Sequence, residues 1–205
     1  YLLLQLKSNF AKICIPIESD FYTKGDKNMK ILVITSSPRK NGNSNILADN
    51  FIKGAQENNH QIVRIDVGTK QIHPCIACDH CSNNNGKCIY KDDFYSVHEN
   101  ILDADMVVFA TPMYYFGISA QLKTVIDRFY AINEELHKPK KAALLMTYAD
   151  TVEKEAEPTT LHFEAILNYL GWENIGEVIA SGVWEAGSIS NTHYPQQAYD
   201  LGKSL

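Results

Sequence analysis

The strongest constraint on this chain is an alternation of two apolar patterns. Lys30-Ile-Leu-Val-Ile-Thr35 is a continuous apolar run, the pattern of a parallel strand buried on both faces. Gln61–Val67, Asp105–Ala110, Lys141–Tyr148 and Ile175–Ser181 repeat that character and give four more strands. Between them the spacing is helical. Leu47, Phe51 and Ala55 share a stripe over Ser44–Asn58. Asp92 is placed to cap a helix carrying Phe94, Val97 and Ile101. Ser119–Ile132 continues the spacing through Leu122, Val125, Ile126 and Phe129, and further helices are expected over Pro158–Leu170 and Pro195–Ser204. Five strands alternating with helices predict an α/β, doubly wound, mostly parallel sheet with helices on both faces. Ligands of such sheets bind beyond the carboxyl ends of the strands, which directs attention to loops 35–44, 111–118 and 147–157.

Composition narrows the function classes. With 205 residues, 45% hydrophobic and 21% charged, the chain suits one globular domain. A net charge of −5 supplies no basic footprint for nucleic acid or an anionic membrane, so neither is expected as a partner. The longest apolar stretch, Met106–Phe116, is broken by Thr111 and Pro112 and falls short of the roughly 20 residues that cross a bilayer. Five cysteines are present, four of them between 75 and 88, which is not a secreted disulfide framework; a cytoplasmic location is expected. Residues 1–28 lack clear periodicity, and Lys24–Met29 back-translates as AAA GGA GAT AAA AAT ATG, a bacterial ribosome-binding sequence ahead of a start codon. Residues 1–28 therefore read as a translated leader or a disordered extension, against the alternative of a genuine but loosely attached segment, and residues 29–205 as the domain.

The loop after the first strand, Thr35–Asn45, concentrates hydroxyls, amides, one glycine and two cations at a helix N-terminus. Free N–H groups and the helix dipole there suit a phosphate, with Ser37, Arg39, Asn43, Ser44 and Asn45 as donors. The competing reading is a plain Asn41-Gly42 turn with Ser44 capping a helix. No G-x-G-x-x-G occurs, which argues against a dinucleotide Rossmann site. Gly202-Lys-Ser204 has the end of a Walker sequence, but Gln197 stands where its first glycine belongs, so the segment reads as a surface tail.

Ser37-Pro-Arg-Lys-Asn-Gly-Asn-Ser44, followed later by Thr111-Pro-Met-Tyr-Tyr115, resembles the flavodoxin-like NAD(P)H-dependent FMN reductases over essentially all of 29–205. The resemblance implies a five-stranded sheet of order 2-1-3-4-5, FMN as cofactor, NAD(P)H as co-substrate and a homodimer with the flavin near its interface. Pro112, Met113, Tyr114, Tyr115 and Phe116 would then wall the isoalloxazine, with Pro112 limiting the backbone and Gly117 relaxing it. A hydrophobic loop buried by a partner subunit is the other reading. Thr147 and Tyr148 would flank the pyrimidine end of the ring. Tyr114, Tyr115 and Tyr148 are expected to pack rather than to donate protons, and no catalytic side chain is assigned. Lys123, Asp127 and Arg128 read either as ion pairs at a dimer surface or as a solvated face.

Cys75, Cys78 and Cys81 stand at two-residue intervals, and Asn85-Gly86 can fold Cys88 back toward them. Such a set can hold a 4Fe–4S cluster or zinc, or can remain four free thiols. The spacing departs from the ferredoxin run and resembles the compact motif of iron-sulfur flavoproteins, a branch of the same family. His73 and His80 read as ordinary loop residues. A signalling receiver would need carboxylates after strand one and an aspartate after strand three, where Ser36-Ser37 and Thr111-Pro112 stand instead. A phosphatase would need a cysteine in the first loop, which has none. The expected activity is FMN-dependent transfer of electrons from NAD(P)H to a small acceptor such as a quinone or flavin. The alternatives are an iron-sulfur/FMN electron carrier and a redox-sensing interaction module.

Overall fold

The structure, a computed structural model, describes residues 28–205. The leader expectation for residues 1–28 lies, apart from Asn28, outside the described residues. Strands β1 (Lys30–Thr35), β2 (Gln61–Asp66) and β3 (Met106–Tyr114) are followed by a two-residue β4 (Gly117–Ile118), then β5 (Lys141–Thr147) and β6 (Glu173–Ala180). The order across the sheet is β2-β1-β3-β5-β6, every pair parallel, while β4 only folds back antiparallel on the end of β3. With that arm set aside, the five parallel strands run 2-1-3-4-5, as expected.

The buried runs divide between two cores by strict alternation. Ile31 and Val33 of β1, Met106 and Val108 of β3, and Ala143 and Leu145 of β5 face helices α1 (Asn43–Glu57) and α6 (Tyr194–Lys203). Their neighbours Leu32, Ile34, Val107, Phe109, Leu144 and Met146 face the opposite layer. That layer contains α2 (Phe94–Asp103), α3 (Ala120–Asp127), the short α4 (Asn133–Leu136) and α5 (Glu157–Leu170). Burial of each large aliphatic or aromatic side chain contributes about 1.5–3 kcal/mol, so register is fixed from both faces at once.

Three expectations change. The helix expected over Ser119–Ile132 is α-helical only to Asp127 and tightens into 3₁₀ turns over Arg128–Ile132. β3 continues past Ala110 to Tyr114; Pro112 removes a ladder donor there, and β4 takes over the pairing at Met113 and Tyr114. The Gly202–Ser204 segment is no free tail, because Gly202 is buried against α1. Among the described residues, no helix is long and apolar enough to cross a membrane.

The α1–α6 contact depends on two glycines. A Cβ on Gly54 would lie 2.0 Å from the Tyr199 carbonyl oxygen, and one on Gly202 would lie 2.1 Å from the Phe51 carbonyl oxygen. Two backbones therefore touch where side chains would hold them apart. Helix propensity alone predicts that Gly202→Ala stabilises α6 by about 1 kcal/mol. The contact predicts the opposite, a loss of about 2–3 kcal/mol from overpacking. Urea unfolding checks the sign: the midpoint falls with the slope unchanged, whereas a higher midpoint contradicts the close approach.

Candidate functional site

The loop between β1 and α1 is shaped for an anion. Gly42 caps α1 without a side-chain hydrogen bond, and the first turn holds no acidic residue. The dipole of α1 and its first amides therefore face the loop without a neutralising side chain. The Ser44 hydroxyl, 1% exposed, has no hydrogen-bond partner. An orphaned buried hydroxyl is costly unless a ligand completes it. Gly42 permits the loop to close, since a Cβ there would lie 2.3 Å from Ser37 Oγ. Ser37 Oγ in turn accepts from the Arg39 amide at 3.3 Å.

The neighbouring amide side chains hold the scaffold. Asn43 Nδ2 donates to the carbonyls of Val183 (3.0 Å) and Glu185 (2.9 Å), fastening the loop after β6 to the start of α1. Asn45 Nδ2 donates to the Arg39 carbonyl at 3.0 Å and so braces the phosphate-type loop from behind. The Arg39 guanidinium donates to the Trp184 carbonyl at 3.3 Å across the mouth of the cleft. The sequence reading takes all three as ligand donors; in the structure the amide groups of Asn43 and Asn45 and one guanidinium nitrogen of Arg39 donate to backbone carbonyls of these loops.

Opposite the cradle, β3 and β4 make a two-residue hairpin. Its turn residues Tyr115 (φ 47°) and Phe116 (φ 60°) both lie in the left-handed region, as a type I′ turn requires. Non-glycine residues there cost on the order of 1–3 kcal/mol each, a strain typical of functional sites. The expectation that Gly117 supplies the freedom is thus corrected: the two aromatics carry it. The Thr159 hydroxyl donates to the Phe116 carbonyl at 2.9 Å and anchors the turn to α5. Tyr115 is 100% exposed, so it packs against nothing among the described residues.

Between these walls lies a cleft of 460 Å³, a size that suits a cofactor. Ser37, Arg39, Asn43 and Ser44 line one side, and Pro112, Met113, Tyr114 and Tyr115 the other. Thr147 and Tyr148, both buried, lie where β5 ends, with Thr147 in register with Pro112 of β3. Burial raises the Tyr148 pKa above the ordinary phenol value, and its hydroxyl donates to the Val152 carbonyl at 3.4 Å. Asn45 and Phe116 stand outside the lining. Gly42, Ala149, Val183 and Trp184 belong to it and were missed. The rule that drew attention to the ends of the other strands also applies to the end of β6, and would have found the last two.

The cysteines form a second locus. Cys75, Cys78, Cys81 and Cys88 all line one small cavity, together with Asp79, Tyr90, Arg128 and Tyr130. Ala77 (φ 52°) and Asp79 (φ 53°) alternate with the cysteines in left-handed conformations, and Asn85 and Gly86 make the returning turn. That turn closes on the Cys81 carbonyl, which accepts from the Asn84 and Gly86 amides at 3.0 and 3.1 Å. The thiols are free, with Cys81 buried and Cys75 and Cys78 exposed. Among the described residues, no three histidine, cysteine or acidic side chains are gathered as a site for a single metal ion.

Arg128 is the fastening of this loop, not a surface cation as expected. It is 2% exposed and forked onto Asp92, with N–O distances of 3.0 and 3.3 Å, and it also donates to the His73 carbonyl at 2.9 Å. Asp92 accepts further bonds from the His73 amide (2.9 Å) and the Phe94 amide (3.2 Å), so it joins both ends of the cysteine loop to the start of α2. His73 stacks on Tyr90, with centroids 4.7 Å apart. His80 remains an exposed loop residue.

A parallel 2-1-3-4-5 sheet with a helix start open to anions after its first strand defines a flavodoxin-like protein. The sequence profile described as NADPH-dependent FMN reductase matches residues 29–185, and the chain belongs to that family. It is 28% identical to an iron-sulfur flavoprotein of Archaeoglobus fulgidus over 159 residues, covering 76% of this chain and 70% of that one. It is 38% identical to an iron-sulfur flavoprotein of Methanocaldococcus jannaschii over 104 residues, covering 51% and 52%. The match thus spans about half the length of the second relative. An NAD(P)H:quinone oxidoreductase structure from Methanothermobacter marburgensis superposes with a TM-score of 0.72 at 19% identity, covering 87% of this chain and 96% of that one, and shares the fold.

Burial alone would raise the Asp92 pKa, but hydrogen bonds from Arg128, His73 and Phe94 outweigh it and hold the carboxyl below the usual range. A folded pKa below the unfolded value contributes stability above pH about 4, lost as pH falls through the folded value. Asp92→Asn should therefore cost about 3–5 kcal/mol at pH 7, since it leaves a buried guanidinium unpaired. The difference from wild type should shrink below pH 4. Urea melts across that range check it, and a pH-independent difference contradicts the assignment.

Proposed function

We propose that this protein is an FMN-dependent oxidoreductase that takes electrons from NAD(P)H and passes them to a small acceptor such as a quinone or a flavin. The observation that carries the reading is the buried, unpartnered Ser44 hydroxyl in the cleft wall, at the uncapped start of α1. It fits a phosphate ester, whose oxygens complete the hydroxyl and the helix amides together. Ser37, Arg39 and Asn43 shape the phosphate end, with Asn45 bracing the loop. Pro112, Met113, Tyr114 and Tyr115 wall the ring, held at their tip by Phe116. Thr147 and Tyr148 flank its pyrimidine edge. When bound, FMN supplies the chemistry: it accepts a hydride from NAD(P)H and releases the electrons to an acceptor. The chain binds and orients, and no side-chain acid or base is assigned. The exposed Tyr114, Tyr115 and Trp184 line the cleft and the exposed Phe116 stands beside them, and we infer that a second copy covers them in a cytoplasmic homodimer.

A second reading has its own support. Four cysteines line one cavity, and several relatives are named iron-sulfur flavoproteins. The donor set fits a 4Fe–4S cluster, which takes one thiolate per iron and needs no convergence on a point. Zinc on the same four sulfurs would be found by metal analysis as one zinc per chain without acid-labile sulfide. Cys75, Cys78, Cys81 and Cys88 would hold the cluster, which would supply one-electron chemistry and make the protein an electron carrier. Iron and acid-labile sulfide near four each per anaerobically prepared chain support it, and fewer than about two irons contradict it.

Stopped-flow mixing of the FMN-loaded chain with NADPH or NADH separates the readings. Rapid bleaching of the flavin band is expected. Bleaching only by a reduced ferredoxin-type donor overturns the oxidoreductase reading in favour of the carrier. Ser44→Ala should raise the FMN Kd about tenfold or more, because hydrogen bonds to charged groups contribute about 1.5–3 kcal/mol. Its apo stability should not fall, and should rise by about 1 kcal/mol as the orphaned hydroxyl is removed, so an unchanged Kd contradicts the cradle.

A further inference from the structure

The cavity bounded by the four cysteines has a buried cation in its wall. Arg128 is the largest fully buried side chain among the described residues and lines that cavity beside the sulfurs. Its two terminal nitrogens are engaged by Asp92 and the His73 carbonyl. Its rings of contact are apolar, with the guanidinium 4.6 Å from the Phe94 ring centroid and 5.5 Å from that of Tyr90. One nitrogen has no partner at all: Arg128 Nε is buried and makes no hydrogen bond. A buried, charged N–H without an acceptor is one of the more expensive groups a fold can carry.

We propose that Arg128 is a positioning and potential-setting residue for a cluster held by Cys75, Cys78, Cys81 and Cys88, its Nε–H donating to a sulfur of the site. The proposal rests on the cluster reading given above. A buried, charged N–H is best completed by an anionic acceptor, and the other groups of the wall do not supply one. The Asp79 carboxylate, also in the wall, is exposed and accepts from the Tyr130 hydroxyl at 2.7 Å. Asp92 compensates the Arg128 charge from outside the lining, so the positive end of the pair is the end presented to the sulfurs. Solvent screens Asp79 far more than Arg128.

The sign of the effect follows. Reduction adds one electron, and hence one negative charge, to the cluster. A buried cation and an N–H···S bond both favour the more negative state, so both raise the midpoint potential. Their removal lowers it. The FMN cleft is lined by other residues, so its midpoint serves as an internal reference.

The test uses the anaerobically prepared holoprotein, titrated with dithionite while the cluster is followed by electron paramagnetic resonance and the flavin by absorbance. Arg128→Gln combined with Asp92→Asn removes both charges without stranding either. Its cluster midpoint should move to more negative values while the flavin midpoint stays fixed. Arg128→Lys keeps the charge and loses Nε, and should move the cluster midpoint less. An unmoved cluster midpoint in the double variant, or equal movement of both centres, overturns the proposal.

A second measurement needs no variant. The chain has three arginines, Arg39, Arg64 and Arg128, and only Arg128 lines the cysteine cavity. Pulsed electron paramagnetic resonance of the reduced cluster in wild-type protein carrying ¹⁵N-arginine should show a ¹⁵N coupling. Its absence overturns the proposal even if the variants fail to fold. Wild-type protein without iron and sulfide overturns the cluster reading and this inference together, whereas a cluster without coupling overturns this inference alone.

Discussion

The parallel pairing of β1 with β3 and of β3 with β5 is the constraint on which the site depends. Parallel strands end on the same edge, so their outgoing loops must meet there. β1 is also where the sheet changes direction, with β2 on one side and β3 on the other, and a crevice opens between the loops leaving β1 and β3. The cradle at Ser37–Ser44 and the hairpin at Pro112–Tyr115 face each other for that reason. Two apolar cores hold the strands in register, and the α1–α6 glycine contact sets how closely α1, which carries the cradle, lies against its neighbour.

Both candidate loci combine a rigid surround with something left incomplete. At the cleft, Asn43 and Asn45 fix the loops by bonds to backbone carbonyls, and the Ser44 hydroxyl is left without a partner. At the cysteine loop, Asp92 and Arg128 tie the ends, and Arg128 Nε is left over. Left-handed backbone occurs in both places, at Tyr115 and Phe116 in one and at Ala77, Asp79 and Asn85 in the other, as well as at Asn59 in the turn before β2. Unmade hydrogen bonds and left-handed residues both cost free energy, and those beside the cleft and the four thiols are what the proposed ligands would offset.

Much of this was legible in the residues, and the reason is periodicity. Runs such as Lys30–Thr35 declare a doubly buried strand, and the order of strands and helices then leaves few topologies. The location of the cradle and of the aromatic wall followed from strand ends and residue type. What escaped is what depends on tertiary partners. Nothing local distinguishes a Arg128 on a helix surface from one buried against Asp92, 36 positions away. The engagement of Asn43 depends on carbonyls about 140 positions distant. Gly117 was the natural candidate for left-handed backbone, but the hairpin register places the turn one residue earlier, on Tyr115 and Phe116.

The central claim is that the open start of α1 and the Ser44 hydroxyl form a phosphate site for FMN. The most direct test is a crystal structure of the chain with FMN bound. The account predicts a phosphate oxygen about 2.7 Å from Ser44 Oγ, with the ring lying along Pro112–Tyr115. A bound flavin whose phosphate lies elsewhere, leaving the Ser44 hydroxyl without a partner, would contradict it.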